Sequence, residues 1–109
     1  MCVAHPDTLT AINNLGMLLK DQGRLDEARL LSEEALAGRR AALGDAHPDT
    51  LLSINNLAAL LYAEGKLEEA LARFEEALAG MTVTLGEAHP STQTLLRNVQ
   101  ILRKKIGTS

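Results

Sequence analysis

The sequence is poor in aromatic residues and cysteine. Of its 109 residues only Tyr62 and Phe74 are aromatic, and there is no tryptophan. A core with so few aromatic side chains must be built from leucine and alanine, which favour helices, so an all-β fold is disfavoured. The single cysteine, Cys2, excludes an internal disulfide and is typical of a reducing compartment.

Long apolar runs and a basic charge balance are also lacking. No apolar stretch approaches the length of a membrane span, and no basic-then-apolar segment begins the chain, so we expect a cytoplasmic protein without a membrane partner. The formal net charge is −3, which argues against nucleic acid as a partner. The only basic zone is residues 88–109, which hold four Lys and Arg and no Asp or Glu.

An internal repeat of 42 residues dominates the sequence. Residues 5–46 and 47–88 are identical at 24 of 42 aligned positions, and a third copy begins at His89 and stops after one helix. A fixed period of this length indicates an array of stacked helical units. We interpret residues 1–109 as one domain of two and a half units, with a half repeat at 89–107. Residues 1–4 align with the linker 43–46, which leaves open that the chain is a fragment of a longer array.

Each full unit is predicted to contain two helices. Apolar residues recur at three-to-four spacing in the first helices, and Pro6, Pro48 and Pro90 suit the first helical turn. Glycines that suit left-handed stops follow, so the second helices are predicted at 25–43 and 67–85 and a closing helix at 91–106. Gly38 and Gly80 would lie inside the second helices, where we expect a tight crossing or a bend.

Several blocks of the repeat carry a family resemblance. The segment GKLEEA from Gly65, with Ala58, Phe74 and Ala77 at matching offsets, resembles the tetratricopeptide repeat. The 42-residue unit, with its HPDTL and NNLA blocks, is similar to the repeat of kinesin light chains. This resemblance implies an all-α, right-handed solenoid of five helices that binds a protein or peptide. We expect no enzymatic activity and no cofactor, because the sequence shows no grouping of a nucleophile, a base and oxyanion donors.

The resemblance also implies which residues bind. In this family the first helices of successive hairpins line a concave groove that holds a peptide. The binding positions in this sequence would be Asn13, Asn14, Met17, Lys20, Asn55, Asn56, Tyr62, Arg97, Asn98 and Lys104. A carboxamide can both donate to and accept from a peptide backbone. The alternative is that these asparagines cap turns or tie neighbouring helices together.

The partner implied by this groove is a protein or peptide segment. Arg97 and Lys104 would pair with an acidic side chain or a C-terminal carboxylate of the partner. A different function remains open, because two and a half units leave repeat ends uncovered. In that alternative the chain is a structural module that forms homo-oligomers, such as a homodimer, through its open ends.

Three further sets of residues could be mistaken for chemical sites. His5, His47 and His89 recur one per unit, too far apart for a shared metal ion, so we expect them at helix starts. The paired glutamates of the second helices are expected on a solvated outer face rather than in a catalytic site. Arg103, Lys104 and Lys105 end the closing helix, where they either meet its negative dipole end or form an anion-docking patch. No motif for metal binding or catalysis is present.

Overall fold

The computed structural model describes residues 6–107, which form five consecutive α-helices. Within these residues there is no strand, so the predicted all-α helical repeat is confirmed. The predicted second helices match in full, and the closing helix is one residue longer than predicted at each end. The helices are α1 (Pro6–Asp21), α2 (Leu25–Leu43), α3 (Pro48–Ala63), α4 (Leu67–Leu85) and α5 (Pro90–Gly107).

Histidine and proline together begin α3 and α5. Pro48 and Pro90 are the first helical residues, where the missing N–H removes no helical hydrogen bond. The backbone N–H of Asp49 donates to Nδ1 of His47 at 3.0 Å, and that of Ser91 donates to Nδ1 of His89 at 3.1 Å. The imidazoles therefore satisfy exposed N–H groups of the first turn, which agrees with the expected role in helix starts. His5 lies outside the described residues, as does Cys2.

Glycines end the first four helices. Gly23 and Gly65 both have φ of +81°, and Gly44 and Gly86 have φ of +89° and +92°. These angles lie in the left-handed region, which a residue with a side chain seldom adopts. The chain therefore turns sharply between successive helices, so each helix packs antiparallel to the one before it.

The helices pack as an elongated stack. Each contacts its neighbour in the chain, and the molecule measures 47 × 32 × 18 Å. α3 is covered from both sides, by α2 and α4, and supplies more buried residues than any other described helix. The main core is built largely from leucine and alanine, as the composition requires, and Phe74 is the one aromatic residue among its buried members.

The glycines inside the second helices mark close crossings. A Cβ atom added to Gly38 would stand 2.4 Å from Cδ2 of Leu9, and one added to Gly80 would stand 2.4 Å from Cδ2 of Leu51. Both leucines are buried. The predicted tight crossing is confirmed in both units, because the absent side chain leaves the space that the leucine fills.

Arg39 is a buried arginine that the sequence pattern did not reveal. Its guanidinium donates to the Ser53 hydroxyl at 2.8 Å, the Asp49 carbonyl at 3.1 Å and the Thr10 hydroxyl at 3.3 Å. These bonds join α2 to both α3 and α1. The equivalent position one unit later is Met81, which is also buried.

The paired glutamates divide into two groups. Glu33 and Glu34 are exposed, as expected for an outer face. Glu75 instead forms an ion pair with Arg103 of α5, and Glu76 forms ion pairs with Arg40 of α2 and Arg73 of its own helix. These second-helix carboxylates therefore link neighbouring helices, each contact contributing at most about 1 kcal/mol at the surface.

One further ion pair fastens α2 to the end of α3. Arg29 lies 3.2 Å from a carboxylate oxygen of Glu64, and the hydrogen bond and charge of Glu64 raise the pKa of Arg29 above its ordinary value.

Within residues 6–107, none of the helices is long and apolar enough to cross a bilayer.

Candidate functional site

The first helices α1, α3 and α5 share one side of the molecule, and their common surface is called the groove below. A cavity of about 320 Å³ opens into this surface between α3 and α5. α4 closes its base, and the end of α1 reaches its rim. The cavity, called the groove pocket below, is lined by Lys20, Ala59, Tyr62, Ala63, Phe74, Asn98, Ile101 and Leu102.

The walls of the groove pocket are mainly apolar. Phe74 and Leu102 are buried and form its base, while Ile101 is 54% exposed at its edge. Lys20 is the one charged residue in the lining, and Tyr62 and Asn98 add a hydroxyl and a carboxamide. Such a mixture suits an apolar group that is oriented by a few polar contacts.

A second lysine stands next to the groove pocket through Tyr62. Nζ of Lys105 donates to the Tyr62 hydroxyl and lies 5.1 Å from the centre of the tyrosine ring. Nζ therefore lies beyond the hydroxyl at the edge of the tyrosine ring, where the hydrogen bond holds it. Lys105 was not among the predicted binding residues; the only sequence signal was the basic run at the end of α5.

The asparagines of the groove do not behave alike. Asn13 is only 6% exposed, and its side-chain oxygen accepts a hydrogen bond from Nδ2 of Asn56 at 3.2 Å. This bond ties α1 to α3, as the alternative interpretation of the asparagines expected. Asn55 is half-buried, and its Oδ1 is buried without a hydrogen-bond partner within the described chain. Asn14 is exposed.

The remaining predicted residues lie around the groove pocket. The structure brings Lys20, Tyr62 and Asn98 together in its lining, whereas Met17, Arg97 and Lys104 are outside it. Met17 is half-buried, and Arg97 and Lys104 are exposed on α5. Sequence reasoning did not identify Phe74 and Leu102 as parts of a site, because a buried apolar residue looks the same whether or not a cavity adjoins it.

A metal centre has no support in the described part of the chain. Among residues 6–107, no three His, Cys, Asp or Glu side chains are grouped closely enough to hold a metal ion. His47 and His89 each use Nδ1 to accept a backbone hydrogen bond at the start of their own helix.

Comparison with known proteins agrees with this architecture. The family model of the tetratricopeptide repeat matches residues 7–82 and 52–99. A crystal structure of a kinesin light chain-type protein of Podosopora anserina, with nearly identical tetratricopeptide-like repeats, is 27% identical and superposes with a TM-score of 0.90. The match covers 98% of this chain and 51% of that one.

A glutamine-to-methionine variant of the Podosopora anserina protein is 26% identical, with a TM-score of 0.74 over 100% of this chain and 61% of the other. This chain therefore spans about half to three fifths of the solved structures that it resembles. Curated protein sequences give no significant match. With the family model matched over most of its length, the chain belongs to the tetratricopeptide repeat family, and its repeats are like those of kinesin light chains.

Proposed function

We propose that this chain is a non-enzymatic interaction module that holds a peptide segment of a partner protein in its groove. Tetratricopeptide repeats generally mediate protein–protein interaction and generally act as scaffolds without catalytic activity. The observation that carries the proposal for this chain is the groove pocket, an apolar cavity bordered by lysines. A cytoplasmic location is part of the proposal, and the single cysteine favours it.

The groove pocket is suited to one apolar side chain of the partner. Its volume of about 320 Å³ exceeds that of a leucine or isoleucine side chain, and its base is formed by Phe74 and Leu102. Fully burying a side chain of that size contributes about 1.5 to 3 kcal/mol. A single anchor of this kind would give a weak, reversible interaction unless polar contacts are added.

Charge favours an acidic partner. Lys20 lines the groove pocket, Lys105 lies against its Tyr62, and Arg97 and Lys104 are exposed on α5. No carboxylate is among the lining residues. This local basic surface contrasts with the net charge of −3 for the chain. Acidic side chains next to the apolar anchor would therefore be attracted to the rim, and the attraction would be screened by salt.

The test uses a fluorescein-labelled, C-terminally amidated peptide with a central leucine flanked by aspartates, called the acidic peptide below. Amidation removes the terminal carboxylate, so binding must come from the side chains and the backbone. Fluorescence anisotropy is expected to detect binding that weakens when the ionic strength is raised to about 0.5 M. A peptide with lysines in place of the aspartates is expected not to bind.

A matched pair of lysine variants locates the binding. Lys20→Ala should weaken binding of the acidic peptide about twofold to fivefold, which is the range expected for a partly exposed ion pair. Lys66→Ala removes an exposed lysine that does not line the groove pocket and should leave the affinity unchanged. Equal binding of the acidic and lysine peptides, or none by either, would contradict the proposal.

A second candidate function is self-association, which one observation favours. Leu15 and Leu18 of α1 are 47% and 53% exposed. Their counterparts one unit later, Leu57 and Leu60, are buried, as are those two units later in α5. α3 and α5 each lie beside a preceding second helix, and within residues 6–107 α1 does not. The uncovered stripe of α1 could therefore pack against the same stripe of a second copy.

Sedimentation velocity across a concentration range tests this candidate. Self-association predicts a dimer at high micromolar concentration that Leu18→Glu converts to monomer, because a carboxylate would be buried in the contact. Val83→Glu is the control, since Val83 is 86% exposed on α4, away from α1. A wild-type protein that stays monomeric at every concentration would contradict self-association.

A further inference from the structure

The end of the stack formed by α1 and α2 carries an apolar surface that lies outside the groove pocket. A cavity of about 460 Å³ opens there between the two helices. It is called the end pocket below and is lined by Leu15, Leu19, Arg24, Glu27, Leu30 and Leu31. Leu30 is 60% exposed. Leu18 is exposed too, and it lies on the same side of α1 as Leu15, three residues earlier.

Leu30 is not needed for the stacking of the repeats. Its equivalent one unit later is Ala72, which stays exposed although α2 packs against α3 of that unit. A repeat packed in the same way against α1 would therefore leave Leu30 exposed as well. The leucine extends the apolar surface of this end beyond what the array uses, and such an extended patch is typical of a docking surface for another molecule.

The opposite end of the stack, on the outer side of α5, carries polar residues. Three positions that are buried and apolar in α3 are polar and exposed in α5. They are Leu51, Ala58 and Leu61 in α3, and Gln93, Gln100 and Arg103 in α5. Polar outer faces of this kind close helical arrays. A head-to-tail contact between copies would therefore place exposed leucines against amides and a guanidinium, whereas two α1–α2 ends would bury their leucines together.

The α1–α2 end is complementary to itself. It holds an apolar cavity, the end pocket, and beside the cavity an exposed apolar side chain, Leu18, that can enter the same cavity of a second copy. The charged groups of the lining are one of each sign, Arg24 and Glu27, which form an exposed ion pair at 2.6 Å. In a two-fold contact each copy presents its cation to the anion of the other. This surface therefore suits a second copy better than a partner of one predominant charge.

We infer that two copies join through their α1–α2 ends in a closed two-fold dimer. Leu18 of each copy enters the end pocket of the other, and Leu30 packs across the contact. This inference rests on self-association, the second candidate function, and specifies its surface, its symmetry and its limit of two copies. It does not depend on peptide binding, because the groove pocket and the end pocket share no lining residue.

Sedimentation velocity of two matched variants tests the surface. The wild type should form dimers, and no larger species, at high micromolar concentration, because the contact is small. Leu30→Ala removes apolar contact from both copies at once, so the dimer dissociation constant should rise about tenfold or more. Its Tm at low concentration, where the protein is monomeric, should match that of the wild type. The control is Gln100→Ala on the outer side of α5, which should leave the dissociation constant unchanged.

Charge reversal tests the two-fold symmetry. Arg24→Glu gives the end two carboxylates and Glu27→Arg gives it two guanidiniums, so each variant should dimerise more weakly than the wild type. In an equimolar mixture the two ends carry opposite charges. The heterodimer should therefore have a dissociation constant at least about fivefold below that of either variant alone, and added salt should reduce this difference.

The outcomes separate the proposals. A wild type that stays monomeric overturns the inference together with self-association and assigns the leucine surface to a different protein. Peptide binding is measured separately by anisotropy and is not affected by that result. A wild type that forms a series of larger oligomers, or a dimer weakened by Gln100→Ala and not by Leu30→Ala, overturns the inference alone. A mixture of the charge variants that forms no heterodimer also overturns it.

Discussion

Replacing Phe74 by alanine is expected to lower the free energy of unfolding by about 3 to 5 kcal/mol, the range for a large aromatic side chain removed from a core. Phe74 is 7% exposed and is the one aromatic residue of the main core. Its ring lies at the base of the groove pocket, where α3, α4 and α5 meet. Removing the ring would therefore enlarge the groove pocket.

Chemical denaturation of Phe74→Ala and Phe74→Leu measures this effect. Leucine keeps most of the apolar volume. Phe74→Leu should therefore lower the free energy of unfolding by about 1 to 2 kcal/mol, well below the decrease for Phe74→Ala. Equal losses for the two variants would contradict the assignment of Phe74 as the residue that fills the space between α3 and α5. A loss below about 1 kcal/mol for alanine would contradict its burial.

Gly80→Ala is expected to destabilise the protein, although alanine favours helices. The new methyl group would stand 2.4 Å from Cδ2 and 3.2 Å from Cδ1 of Leu51. Leu51 is 2% exposed and has little room to move. Overpacking of this kind costs about 1 to 3 kcal/mol, and the gain in helix propensity is about 1 kcal/mol. We expect a net loss of up to about 2 kcal/mol.

A double-mutant cycle with Leu51→Ala shows whether the crossing is the cause. Leu51→Ala alone should cost about 2 to 5 kcal/mol. In that background the δ carbons are gone, so Gly80→Ala should become stabilising by about 1 kcal/mol. The same reversal is expected for Gly38 with Leu9, which have the same geometry. If Gly80→Ala changes the free energy of unfolding equally in both backgrounds, the close contact with Leu51 is not the reason that glycine is required at this position.

The helices could be predicted from the sequence because their limits follow local rules. Pro48 follows a histidine that bonds to the first turn, and Gly65 takes the left-handed angle that ends α3. Both effects act within a few residues. The crossing at Gly80 was also predictable, since a glycine inside a helix is unfavourable without a packing reason. That the partner is Leu51 was not, because the two lie in different helices.

The division of the asparagines could not be predicted, because the sequence repeats them faithfully. Asn13 and Asn55 occupy the same position of the unit, yet one is bonded to the next helix and the other is not. Cα atoms of α1 and α3 approach within 8 Å, whereas no described Cα of α3 comes that close to one of α5. The repeat position of an asparagine therefore does not show whether its side chain reaches the next first helix.

The contacts of two basic residues could not be predicted for similar reasons. Arg39 is buried, and its guanidinium donates hydrogen bonds to groups of α3 and α1, the shortest of them to the Ser53 hydroxyl. Lys105 lies in a basic run that a helix dipole alone would explain, and its contact with Tyr62 joins residues 43 positions apart. Contacts at such separations leave no trace in local spacing.

An NMR titration of the ¹⁵N-labelled protein with the acidic peptide shows at the level of single residues whether a partner binds between α3 and α5. Binding there should give saturable shifts of the side-chain amides of Asn55 and Asn98 and of backbone amides around Ala59 and Ile101. The Asn13 and Asn56 side chains should move little. Saturable shifts confined to the outer surfaces of α2 and α4, with Asn55 and Asn98 unmoved, would show that the peptide does not bind between α3 and α5.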